Sequence, residues 1–327
     1  MGREHFSLPG LAPLSRRALL ALPALLAAGR ARAAWPERPI RLIVPFPAGS
    51  GTDILARMLA DPLGRALGQA VVLENRPGAN GVVGAEAAAK APADGYTLMM
   101  MGTSVGAINP HTLRRLPYDP LRDFAPIGSI AETPYVLVVP PAAPGEDLAG
   151  WIRAVRGRDL SLGYGNAGGH IMGAMLADMA GLKLTLVPYR GSTEALTDVS
   201  TGRLDVTFAD FGIGMQQAEA GRVRALAQSL GRPFPLSPGV PPLAATLPGF
   251  DASVWFSMVA PAATPAAVLA RLEAALGAVL ADADLGARLT GHGLAPLRLS
   301  AADFGRFLER QWALWGERVR LAGLVAQ

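Results

Sequence analysis

The sequence predicts an α/β protein with two doubly wound domains around a ligand cleft, and three observations carry that expectation. Short apolar runs alternate with helix-period segments along most of the chain. That alternation marks parallel sheets whose strands are crossed by helices. Two strand-to-helix turns are rich in small residues, at 48–51 and at 164–170, one in each half of the chain. Half of the 327 residues are hydrophobic but only 6% are aromatic, so Ala, Leu and Val must build a core of closely packed helix and sheet. This length allows one large domain or two of ordinary size.

The first 33 residues stand apart. Ser15, Arg16 and Arg17 precede an apolar run at 18–28, and Ala31, Arg32 and Ala33 form a small-x-small site before Ala34. A basic stretch, a short apolar stretch and such a site predict a cleaved export signal, and the paired arginines point to the twin-Arg route. The competing reading, a membrane anchor, needs roughly 20 apolar residues, and this run is shorter. The leader holds five of the 30 basic residues and one of the 26 acidic ones, which leaves 25 of each. Such a balance predicts no nucleic-acid partner. The absence of Cys removes disulfides, Cys-based zinc sites and thiol nucleophiles, and is compatible with a periplasmic location.

After the leader, 40–44 reads as a first strand and 53–67 as a first helix. Residues 71–74 form a second strand, 75–81 a turn-rich loop, 82–91 an Ala-rich helix, and 97–101 a third strand running into Thr103 and Ser104. A strong strand follows at 135–139. Pro140, Pro141 and Pro144 then punctuate the chain, which predicts a crossing into a second domain. That domain repeats the pattern: helix 148–156, strand 160–163, a Gly-rich turn, helix 171–180, strand 184–187, helix 193–201, strand 206–208, helix 215–220 and strand 225–229. Residues 231–250 are a Pro-rich connection, and 254–260 is a strand heading back. Helices at 265–280, 284–292 and 303–321 are expected on the first domain. The predicted boundaries are 34–138 with 255–327 for domain 1, and 139–254 for domain 2.

The turn after the first strand leaves backbone N–H groups exposed at a helix N-terminus, which makes an anion site. Residues Gly163, Gly165 and Gly168 give a second turn of this kind with the literal spacing G-x-G-x-x-G. A dinucleotide site would want a carboxylate after the next strand, where Pro188, Tyr189 and Arg190 stand. Small-anion binding fits better, with tight packing at the glycines as the alternative. No Walker-type lysine motif occurs, the spacing G-x-S-x-G occurs once, at Gly102, Ser104 and Gly106, and His5, His111, His170 and His292 lack metal spacing, so no cofactor or metal is expected. Asp53 reads either as a first-turn acid of its helix or as an amine reader. At the end of a strand, Asp210 can read an ammonium, a hydroxyl or a water. His170 can donate to a bound anion or sit solvated at its helix start. An exported hydrolase using Ser104 or Ser50 with His170 lacks a third member.

Together the segments 44–57, Glu74 to Ala79, 94–98, Pro188 to Gly191, 202–210, 221–227, 238–242 and Trp255 to Pro261 resemble the Bug-type solute receptors. These are the extracytoplasmic substrate-binding proteins of tripartite tricarboxylate transporters, and the resemblance covers nearly all of the mature chain. It implies a type II periplasmic-binding-protein fold, a monomer, a small organic carboxylate as ligand, and the membrane subunits of such a transporter as partners, with a signalling role as the alternative. It also implies ligand contacts at Phe46, Ala48, Gly49, Ser50, Gly51, Thr52 and Asp53 in one domain. In the other they are Asn166, Gly168, Gly169 and His170, with Tyr189 and Asp210 alongside and Thr103 and Ser104 at the border. Ser50 stands where the family more often has Gly.

Overall fold

The computed structural model describes Gly2 and residues 35–324. The leader expected at 1–33 lies outside the described residues, Gly2 excepted. Contacts group the chain into Met1–Glu37 and Arg38–Gln327, and the sheet and its helices belong to the second group.

Strand β1 (Ile40–Val44) is almost wholly buried, as its branched apolar residues require, and stops at Pro45. Helix α1 (Gly51–Leu67) follows, capped by Ser50 at its start and by Gly68 in the left-handed region (φ 78°) at its end. Next come β2 (Val71–Asn75), α2 (Val82–Ala89), β3 (Thr97–Gly102), a π-helical turn (Ser104–Ile108), α3 (Asn109–Thr112) and β4 (Phe124–Val139). The middle of the chain supplies α4 (Leu148–Val155), β5 (Asp159–Tyr164), α5 (Ala167–Ala180), β6 (Lys183–Pro188), α6 (Ser192–Ser200), β7 (Val206–Asp210), α7 (Phe211–Glu219) and β8 (Arg224–Gln228). The return is β9 (Ser253–Pro261), α8 (Ala266–Leu280), α9 (Ala283–Gly291), β10 (Ala295–Pro296) and α10 (Ala301–Leu321).

The strands order as β2-β1-β3-β9-β4-β7-β5-β6, with β8 and β10 also paired to β4. Strands β1, β2 and β3 are parallel to one another, as are β5, β6 and β7. Between the two parallel blocks run β4 and β9, antiparallel to their neighbours. The first part of β4, to Pro134, pairs with β9; from Tyr135 on it pairs with β7 and β8. Strand β4 thus hands the chain from one parallel block to the other, and β9 brings it back.

Two sequence readings change here. A strand at 135–139 turns out to be the last third of β4. Pro126 borders one of the two register shifts in the ladder with β9, where a missing donor is tolerated, and Pro134 stands where β4 passes from β9 to β7. Three helices also begin earlier than their apolar period suggests, α1 at Gly51, α5 at Ala167 and α7 at Phe211. In each case the opening turn contains glycine.

Trp151, Trp255 and Trp315 are fully buried. Trp255 on β9 stacks edge-on against Phe304 of α10 at 5.5 Å. One apolar cluster runs from Ile43 on β1 through Leu137 on β4 to Leu162 on β5 and Phe304 on α10, so the ends of both parallel blocks are fixed to a continuous core.

Candidate functional site

The turn after β1 is knotted by Asp53. Its carboxylate accepts from the Gly49 N–H at 2.8 Å, from Arg57 Nε at 2.8 Å and Nη2 at 3.1 Å, and from Asn75 Nδ2 at 2.9 Å. Asn75 also donates to the Phe46 carbonyl at 3.0 Å, which ties β2 to the turn. The Arg57 guanidinium outweighs the opposing effect of burial and, with Gly49 and Asn75, holds the carboxyl down to about 2. The Ser50 hydroxyl accepts from the Asp53 N–H at 3.3 Å and caps α1. Asp53 and Ser50, both expected as ligand contacts, are therefore spent inside the turn and do not line the cavity below. Their effect is to aim the Gly51 and Thr52 N–H groups outward, and neither has a hydrogen-bond partner among the described residues.

The turn after β5 is built the same way. Asn166 caps α5 by accepting from the Gly169 N–H at 2.9 Å, and the Tyr135 hydroxyl donates to the same oxygen at 3.4 Å. Gly169 and the His170 N–H are consumed by this cap, which leaves the Ala167 and Gly168 N–H groups free among the described residues. Burial lowers the His170 imidazole below its usual range, and its ring stacks on Tyr164 at 4.5 Å. The Tyr189 hydroxyl donates to Asp198 at 2.8 Å. His170 and Tyr189, both expected as contacts, thus face partners outside the cavity. Ala48 is exposed.

A cavity of about 640 Å³ lies where these two turns face one another. Of the expected residues, Phe46, Gly49, Gly51, Thr52, Thr103, Ser104, Asn166, Gly168 and Asp210 line it; Ala48, Ser50, Asp53, Gly169, His170 and Tyr189 do not. Thr103 contributes its body only, because its hydroxyl accepts from the Trp255 N–H at 2.9 Å and so ties β3 to β9. No Lys or Arg stands among the lining residues. The donors are helix starts, hydroxyls and the side chains of Asn80 and His292, with Ile54, Ile108, Phe256, Leu294 and Trp315 as an apolar wall. Among the described residues no group of His, Asp and Glu side chains could hold a metal ion.

Sequence reasoning missed Tyr135, Thr193 and His292, which also line the cavity. Tyr135 is the cross-strand partner of Asp210, so both side chains stand on one face of the sheet; burial, with the Asp210 carboxylate beside it, raises its phenol well above the usual range. Nothing local marks Tyr135 or His292. Thr193 opens α6 and His292 closes α9, and only the strand order brings them together. The helix start at Gly191–Ser192 was the one available signal for Thr193.

The chain is similar to known proteins along most of its length. Residues 55–324 match the family described as "Tripartite tricarboxylate transporter family receptor". BugT of Bordetella pertussis is 31% identical over 295 residues, which cover 88% of this chain and 90% of BugT. A Rhodopseudomonas palustris protein solved with adipate is similar at a TM-score of 0.78 and 33% identity, covering 90% of this chain and 100% of that one. MatC from the same species, solved with bound malate, gives a TM-score of 0.73 at 27% identity over 87% of this chain and 100% of MatC.

Proposed function

The chain belongs to the tripartite tricarboxylate transporter family of receptors, and from that premise we propose that it captures a small organic carboxylate between two lobes in the periplasm and delivers it to the membrane subunits of such a transporter. The observation that carries this reading is the pair of capped helix starts, Gly51–Thr52 and Ala167–Gly168, opening onto one cavity that no Lys or Arg lines. Unpaired N–H groups and the positive ends of two helix dipoles favour an anion there without a fixed counter-charge. A carboxylate is the anion the relatives support: one solved neighbour holds adipate and another malate. On this reading the lobes are 34–138 with 255–327 and 139–254, and β4 and β9 join them. The cleaved leader at 1–33 delivers the chain to the periplasm.

Thermal denaturation with succinate, L-malate, adipate and benzoate, and with phosphate as control, tests it. Ligand that binds only the folded state stabilises by RT ln(1 + [L]/Kd), about 2.7 kcal/mol at a hundredfold excess over Kd. At least one carboxylate should raise the midpoint by several degrees while phosphate does not. A folded protein that responds to none of the acids, or to phosphate alone, contradicts the reading.

A further inference from the structure

Asp210 is the only Asp or Glu among the residues lining the cavity. It occupies the N-cap position of α7, where an Asp side chain ordinarily accepts from the first turn of its own helix. Here it makes no such bond. The Ser192 hydroxyl at the start of α6 donates to it instead. A carboxylate offers about four acceptor positions, and this hydroxyl fills one.

The neighbouring donor does not fill another. Tyr135 is the cross-strand partner of Asp210, but its hydroxyl donates to Asn166. Among the described residues no Arg or Lys forms an ion pair with Asp210, and its one hydrogen bond is the one from Ser192. A cavity arranged to receive an anion therefore carries on its wall an exposed carboxylate with acceptor positions that no donor among the described residues fills.

The position of that acceptor is informative. Strands β5 and β7 are parallel with Gly163 level with Thr207. Strand β5 ends at Tyr164, and Tyr135 links the turn beyond it to β7: it is the cross-strand partner of Asp210 and its hydroxyl donates to Asn166. The acceptor thus lies one strand away from the N–H groups at the start of α5. An acid whose carboxylate sits on those N–H groups brings the substituents of its second carbon towards Asp210. A plain methylene there leaves the carboxylate unpaired, and a second ionised carboxylate is repelled. A hydroxyl or ammonium on that carbon donates to it.

Resting on the acid-receptor reading above, we propose that Asp210 makes this site selective for 2-hydroxy and 2-amino acids over the same acids without that substituent. Ser192 is a positioning residue that holds the carboxylate in place.

Two matched series test this by calorimetry on the purified protein: succinate, L-malate and L-aspartate, and adipate, 2-hydroxyadipate and 2-aminoadipate. The wild type should bind the better substituted member of a series about tenfold or more tighter than the plain acid, the worth of one hydrogen bond to a charged group. Asp210→Asn keeps a good N-cap residue and should bring the members of that series within about threefold. Ser192→Ala should lower the preference part of the way. Binding of plain and substituted acids with equal affinity by the wild type overturns the proposal alone and leaves the acid receptor standing. So does a preference undiminished in Asp210→Asn. Silence from every acid in both series sinks the two readings together.

Discussion

Asp53 is the residue on which the first helix start depends. Four hydrogen bonds from Gly49, Arg57 and Asn75 converge on its carboxylate, whose side chain is 2% exposed. Its carboxyl is held at about 2 against an ordinary value of 3.8. A depressed carboxylate lends stability that is complete above its ordinary value and is lost as pH falls through its folded value. Here that window runs from 3.8 down to about 2. Because Arg57 is largely solvated, the contribution is on the order of 1–2 kcal/mol. Asp53→Asn should therefore lower the urea midpoint at neutral pH, and the gap to wild type should close as the pH approaches 2. Identical pH profiles for the two proteins would show that the knot carries no stability. From sequence, Asp53 was readable as a first-turn acid. Arg57, one helical turn on, was readable as an ion-pair partner; Asn75 was not, because it lies 22 residues away on β2.

At the scale of elements, the glycine-bearing turns explain both what the sequence disclosed and what it hid. The presence of strand, turn and helix was legible, because apolar runs and their punctuation are local properties. The helix starts were not. Glycine weighs against helix by propensity, so α5 reads as starting after its glycines. The Asn166 cap nonetheless draws Gly168 and Gly169 into the first turn, where a Cβ on Gly168 would come within 3.1 Å of the Tyr135 hydroxyl and 3.3 Å of the Asn166 cap oxygen. The other two glycines of the G-x-G-x-x-G spacing serve packing. A Cβ on Gly163 would lie 2.4 Å from Leu204, and one on Gly165 would lie 2.1 Å from the backbone of Gly191 and Ser192. Gly165→Ala must push the start of α6 away from β5, and Thr193 with the Ser192 hydroxyl moves with it. Loss of at least about 2 kcal/mol in urea denaturation is expected, together with weakened acid binding. A midpoint equal to wild type would mean that the two turns yield without cost. Long strand β4 was hidden for a different reason: its prolines are local breakers, and the register shift and the change of partner that accommodate them exist only in the paired sheet.

On the scale of the whole molecule, β4 and β9 join two parallel blocks, and the helix starts at the ends of β1 and β5 open onto one cavity. The repetition of strand, Gly-rich turn and helix in both halves foretold this pairing. Tyr135 and His292 were out of reach because their place follows from the order of strands. The charge of the site is also a property of the whole: its positive potential comes from oriented backbone N–H groups at two helix starts, with Asp210 as the one acidic side chain beside them. A crystal structure of the protein with L-malate tests this account most directly. It predicts a malate carboxylate in the cavity with oxygens within about 3 Å of the backbone nitrogens at Gly51 or Thr52 and at Ala167 or Gly168. Malate seated elsewhere, or in the cavity with both carboxylates away from these two helix starts, would contradict it.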